Sequence, residues 1–132
     1  MSQEVIVFPD AVALVVDVLA DEVGGHVGNV VPSPRPTQFV VVRRVGGTRR
    51  NLVADNATLT VECWAERPEY AHDLAQYCRA VIHTMPGQTF DGVAVYKVAE
   101  LAGPADLPDP VSDQPRYSFT VSVTVRGSVS AS

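Results

Sequence analysis

Two stretches of this chain alternate between apolar and polar residues almost without exception, and they restrict its fold more than any other feature. Residues 116–126 set Tyr117, Phe119, Val121, Val123 and Val125 against Ser118, Thr120, Ser122 and Thr124. Residues 56–66 set Ala57, Leu59, Val61, Cys63 and Ala65 against Thr58, Thr60, Glu62, Trp64 and Glu66. A period of two sends successive side chains to opposite faces of a pleated strand, so both runs predict a sheet with one apolar face and one polar face. The apolar face needs a cover.

Two helical segments supply it. The first opens at Pro9-Asp10, where proline tolerates the first turn and a carboxylate favours the positive end of the helix dipole, and it stops at Gly24-Gly25. At about 100° per residue, Val12, Val16, Leu19 and Val23 share one stripe, and Asp10, Asp17 and Asp21 the opposite one. Leu14 and Val18 fit neither, so this helix is either covered on two sides or meets another subunit. The second segment starts at Pro68-Glu69 and runs to about Met85, ahead of Pro86-Gly87. Its apolar side is Tyr70, Leu74, Tyr77, Cys78, Val81, Ile82 and Met85.

Further strands are expected over residues 27–31, 38–45 and 93–101. A stiff Pro32-Ser33-Pro34-Arg35-Pro36 segment precedes the second of these, and Gly46-Gly47 is read as its turn. Residues 103–115, with Pro104, Pro108, Pro110 and Pro115, read as a loop. The fold class is therefore α+β, a largely antiparallel or mixed sheet covered by two helices in the order α-β-β-β-α-β-β. A length of 132 residues with 46% hydrophobic content fits a single domain, expected over residues 1–126, with residues 127–132 as a flexible tail.

No catalytic, cofactor or metal site is expected. His72 and His83 share the polar side of the second helix but lie roughly 16 Å apart along its axis, far from the one-turn spacing of a metal pair. His26 has no partner near it in sequence. Asp17 and Asp21 are one turn apart without a third oxygen ligand nearby. The Gly24-Gly25-His26-Val27-Gly28 run follows a helix, whereas a phosphate loop follows a strand. Cys63 and Cys78 sit in apolar patterns as small core residues, without a basic neighbour to activate Cys78. A net charge of −5 argues against a nucleic-acid binder. The N-terminal residues lack the pattern of a signal peptide and no apolar run is long enough to cross a membrane, so synthesis in the cytoplasm is expected.

Two features read as contact surfaces. Arg43, Arg44, Arg49 and Arg50 bracket Gly46-Gly47, giving an acidic chain a basic hairpin tip: a solvated turn, a contact for an acidic partner, or a point near passing DNA. Trp64 lies on the polar face of its strand, so it is either covered by a loop or anchors an interface. With Leu14 and Val18 unassigned, the apolar surface exceeds what one small domain needs, which favours self-association.

The chain resembles the tail-terminator, or tail-completion, proteins of phages with long non-contractile tails, particularly those of high-GC actinobacteria. The resemblance is carried by Phe8-Pro9-Asp10-Ala11-Val12, by Val40-Val41-Val42-Arg43-Arg44-Val45-Gly46-Gly47, and by Thr58-Leu59-Thr60-Val61-Glu62-Cys63-Trp64-Ala65. It continues in Ala71-His72-Asp73-Leu74-Ala75 and in the closing stretch from Asp109-Pro110-Val111 to Phe119-Thr120-Val121. It implies a hexameric ring at the tail–neck junction of the virion. Such a ring caps the major tail-tube protein and docks a head–tail connector or neck protein, with DNA passing through the lumen without sequence-specific binding. It implies no cofactor and no enzymatic activity, and another neck ring protein, a head-closure or adaptor protein, is the alternative. The candidate contact residues are Leu14, Val18, Arg43, Arg44, Arg49, Arg50, Trp64, Pro108 and Pro110.

Overall fold

In the computed structural model, which describes residues 5–51 and 53–129, the two alternating runs lie side by side. The elements in chain order are β1 (Ile6–Val7), α1 (Ala11–Glu22), β2 (His26–Gly28), β3 (Phe39–Arg49), β4 (Ala54–Trp64), α2 (Pro68–Ile82), β5 (Thr89–Phe90), β6 (Val93–Asp106), β7 (Arg116–Arg126) and β8 (Ser128–Val129). This differs from the expected α-β-β-β-α-β-β by the two-residue strands β1, β5 and β8. Six strands form one sheet in the order β2-β3-β4-β7-β6-β5, with β2 parallel to β3 and every other pair antiparallel. Strands β1 and β8 pair separately, so Ser128 and Val129, in the segment expected to be a flexible tail, are hydrogen-bonded to the N-terminal strand. The remainder of that expected tail, residues 130–132, lies outside the described residues.

The ladder between β4 and β7 runs without a register shift from Ala54↔Arg126 to Trp64↔Arg116. It sets Ala57 beside Val123, Leu59 beside Val121 and Val61 beside Phe119 on one face. These residues join Val40 and Val42 of β3 and Val95 of β6 in a single buried core with Leu14, Val15 and Leu19 of α1 and Leu74, Ala75, Cys78 and Ile82 of α2. Side-chain ties add to this packing: Tyr77 Oη donates to Glu22 Oε2 at 3.0 Å between the helices, and Arg79 Nη2 donates to Glu100 Oε2 at 2.6 Å between α2 and β6.

The core side of α1 is wider than the expected stripe. Leu19 and Val23 are buried and Val12 and Val16 pack against the core partly buried, but Ala11, Leu14 and Val15 are buried as well. Valines surround this helix, so an i, i+4, i+8 stripe of Ala11, Val15 and Leu19 was equally available, and Leu14 falls beside it. Asp10 caps the helix, its Oδ1 accepting from Ala13 N at 3.1 Å. Helix α2 ends at Ile82, short of the expected Met85, yet the following turn, with Met85 N donating to Ile82 O, still delivers Met85 to the core.

Gly46-Gly47 is not a turn. Strand β3 continues through it to Arg49 by means of a bulge between Arg44 and Gly46 that leaves Val45 without a partner on β4. The reversal comes later, where Asn51 Oδ1 accepts from Val53 N and Ala54 N at 2.9 Å each and Arg50 N donates to Ala54 O. Strand β6 likewise runs on to Asp106, through Gly103 and Pro104 that were expected to be loop. It does so through three register shifts, and Pro104 is tolerated because no strand flanks that side of β6 among the described residues.

Gly47 is the position where this architecture needs a glycine. Its φ is +114°, and a Cβ there would sit 2.0 Å from Asn56 O and 2.9 Å from Thr58 N, both backbone atoms of β4. Replacement with alanine forces the bulge and β4 apart. Gly47→Ala is expected to lower unfolding stability by about 2 kcal/mol or more, whereas Gly103→Ala, with open space around its Cβ, stays within about 0.5 kcal/mol of wild type. Urea midpoints of the two variants check this.

Candidate interaction surface

The face of the sheet away from the helices is not uniformly polar. At one end, Phe39 of β3 and Trp64 of β4 are register partners whose rings stack at 4.5 Å between centroids and 15° between planes. With Val41 and the partly buried Val31 they make a second, smaller core, and Trp64 is only 1% exposed. This resolves the Trp64 alternatives within the chain: loops cover it. Leu14 is in the main core at 8% exposure, and Val18 packs against that core partly buried. Neither Trp64 nor Leu14 therefore presents surplus surface in the single chain.

The cover over Trp64 is built from the proline-rich segment before β3 and the loop between β6 and β7, joined through Asp109. Its Oδ2 accepts from Arg35 Nη1 at 3.0 Å and from Trp64 Nε1 at 3.2 Å, and its Oδ1 accepts from Val111 N at 2.9 Å. Arg35 Nη1 also donates to Ser112 Oγ at 2.9 Å, and Gln114 Nε2 donates to Thr37 O at 3.0 Å. The backbone N–H of Val111 and the Arg35 guanidinium hold the buried Asp109 carboxyl far below the usual carboxylate range, because each favours the ionised form. Arg35 lies over the Phe39 ring and Arg116 over the Trp64 ring, at 5.7 and 5.5 Å from the centroids. Arg116 Nη1 and Arg43 Nε both donate to Glu62, at 2.9 and 2.8 Å.

This clasp went unseen in the sequence because Arg35 and Asp109 stand 74 residues apart and nothing local pairs them. The only trace was the apolar residues on both faces at the start of β3, together with a tryptophan on the polar face of β4. The clasp holds a loop that projects Val111, 91% exposed, between the exposed Pro110 and Ser112, with exposed Pro108 just before it. A loop fixed by this many bonds loses little entropy when something docks on it.

The four arginines do not form one tip. Arg43 and Arg44 lie within β3, Arg49 ends it and Arg50 begins the turn. Arg44 makes a two-pronged bond to buried Asp55, 2.9 and 3.3 Å, and the Arg49 guanidinium sits 5.1 Å above the Phe8 ring. All residues from 43 to 50 are exposed, so the basic surface is an open strand edge leading into a turn.

The histidines do not converge. His72 packs edge-on against Tyr117 at 5.3 Å and contacts Asp73, His83 stands 3.9 Å from Glu100, and His26 is exposed on β2. Cys63 and Cys78 are free and buried together, and the bond to Cys78, reinforced by burial, pushes the Cys63 thiol well above its ordinary value. Among the described residues, no three His, Cys, Asp or Glu side chains are grouped to hold a metal, and no helix is long and apolar enough to cross a membrane. What the surface offers is shape, strand edges and charge.

Comparison with known families decides what that surface belongs to. Residues 7–131 match the family described as phage tail termination protein. The chain belongs to this family. No curated protein matches it. As a tail terminator it is a structural protein of the virion, acting in tail assembly alongside other tail proteins.

The clasp makes the terminator's stability depend on pH in a defined direction. Asp109 has a depressed pKa in the folded state, so its contribution is fully present above the unfolded value near 3.9 and is lost as pH falls below it. Asp109→Asn is expected to destabilise at neutral pH and to red-shift Trp64 fluorescence as the loop loosens. The gap from wild type should narrow as pH drops below about 4. Urea unfolding of both proteins at pH 7 and pH 3 tests it; an equal gap at both would show that the carboxylate's charge is not what holds the loop.

Proposed function

We propose that this chain assembles into a hexameric ring that caps the tail tube, ends tube polymerisation and offers a joining surface to the head or neck. The family match across residues 7–131 is the observation that carries this reading. The molecule's surface supports it. A projecting loop around Pro108, Pro110 and Val111 is held rigid, β3 carries an exposed basic edge through Arg43, Arg44 and Arg49 with Arg50 beyond it, and Val18 lies partly exposed on α1. The task is steric, since a ring seated on the last tube layer leaves no edge for another subunit. Repetition around an axis lets individually weak contacts add. DNA passes through the lumen without base-specific contact, in keeping with a net charge of −5.

Electron microscopy of a lysate lacking this protein tests the capping role directly. Without a cap the tube end stays open, so over-long tubes accumulate beside full, tailless heads. A head-side neck protein fails differently, leaving tails of normal length that do not join. Tails of uniform, normal length in that lysate would sink the capping role.

A further inference from the structure

The six-stranded sheet ends in two open edges, and they match. On one side, β2 covers β3 only at Phe39, Val40 and Val41, so from residue 43 to residue 49 no strand flanks β3 among the described residues. On the other side, β5 covers β6 only at Val93 and Ala94, and from residue 96 onward no strand flanks β6 among the described residues. Unpaired edges are normally blunted by charge or irregularity. The β6 edge has such irregularity, three register shifts and Pro104, but still exposes Tyr96, at 47%, and Leu101, at 57%, at two of those shifts.

The registers across the sheet place these two edges at the same height. Arg44 pairs with Leu59, Leu59 with Val121, and Val121 with Glu100. Thr48 pairs with Asn56, Asn56 with Thr124, and Thr124 with Lys97. Each series runs straight across the sheet on one face. Strand direction alternates from β3 through β4 and β7 to β6, so β3 and β6 are antiparallel to each other. When a subunit is repeated by rotation about an axis along the strands, heights and directions are kept. Strand β6 of one copy then meets β3 of the next as an antiparallel neighbour, and Glu100 stands level with Arg44 on the same face.

Resting on the ring reading above, we propose that the subunits of this terminator join edge to edge, β3 of one copy pairing antiparallel with β6 of the next at this level. Net edge charge favours this arrangement over like-with-like pairing, even with Arg43, Arg44 and Glu100 each holding a partner within the chain, Glu62, Asp55 and Arg79. Residues 43–49 carry Arg43, Arg44 and Arg49 with no acid, whereas residues 96–106 carry Glu100 and Asp106 against Lys97 alone. Two β3 edges would set arginines against arginines, and like charges directly opposite destabilise a strand pair. The head-to-tail pairing uses each of these two edges once, and closing the ring leaves neither of them open.

The test uses Thr48 and Lys97, which are exposed and level with each other. Cross-strand Cα atoms in an antiparallel pair stand about 4.5–5.5 Å apart, within disulfide reach. Full-length protein carrying both Thr48→Cys and Lys97→Cys, assembled with tail-tube protein and oxidised, is expected to give a ladder of covalent oligomers on non-reducing gels. Either single variant is expected to stay monomeric there. Rings that form while the double variant remains uncross-linked, or a single variant that cross-links to itself, overturn the edge pairing and leave the ring reading standing. Absence of any oligomer, even with tube protein, overturns both. Hydrogen exchange probes the same pairing in unmodified protein: amides in residues 43–49 and 96–102 slow about tenfold or more in the ring, and unchanged exchange there overturns the pairing.

Discussion

The uninterrupted pairing of β4 with β7 is the constraint on which the remaining structure rests. It joins segments about sixty residues apart, from Ala54↔Arg126 to Trp64↔Arg116, and every other strand of the six-stranded sheet is added outward from this pair. A one-residue slip would turn the apolar set of one strand, Leu59 and Val61 or else Phe119 and Val121, away from the helices and bring its threonines and serines under them. No local contact compensates for such a slip, so the alternation itself fixes the register. The outer face records the same alignment, with Thr60 and Thr120 hydroxyls 3.4 Å apart and Thr124 Oγ1 donating to Asn56 Oδ1 at 2.6 Å.

From that ladder the sheet acquires two unlike faces, and the second is only half finished. The helices pack against the apolar core of one face. On the other, loops cover the end at Phe39, Val41 and Trp64, Thr124 is buried, and Thr58, Thr60, Thr120 and Ser122 stay half-exposed. The covered end confines a carboxylate, which is tolerable because Asp109 receives an N–H from the chain, one from the indole and one from a guanidinium. Among the described residues no buried side-chain nitrogen or oxygen lacks a partner. The cost of burying charge is offset locally, and the return is a loop of fixed shape at the surface.

The parts of this fold that the sequence made legible were those with a local period. Strands β4 and β7, the two helices and the α+β class follow from alternation and from stripes of apolar residues, because each pattern is contained within a dozen residues. Glycine and proline misled where tertiary context overrode them. Gly46-Gly47 carries the chemistry of a turn but serves a bulge, and Gly103-Pro104 carries the chemistry of a loop but lies in an edge strand. The clasp was illegible because Arg35 and Asp109 become neighbours only after two distant loops meet. The basic cluster was legible as composition, but its geometry was not. Four arginines close in sequence spread along a strand once the turn moves to Asn51, so what reads as a tip is an edge.

That difference between a tip and an edge bears on how assembly is timed. A basic tip would attract any acidic surface at a distance, while an edge demands a partner with a free strand at the matching height and direction. The regular part of β6 within its free edge is short, residues 97–100 between two register shifts, so one edge contact buries little surface. An interface of that size is weak for an isolated pair of subunits, since stable pairs bury on the order of 1,200 Å² or more. In the proposed ring each subunit would make two such contacts, and a tube end that held subunits side by side would raise their effective concentration. In the proposed ring, short edges with bulges would leave subunits dispersed until a tube end gathers them. A longer, flatter and more apolar edge would associate before that end existed, and a smaller one would not hold a ring on it.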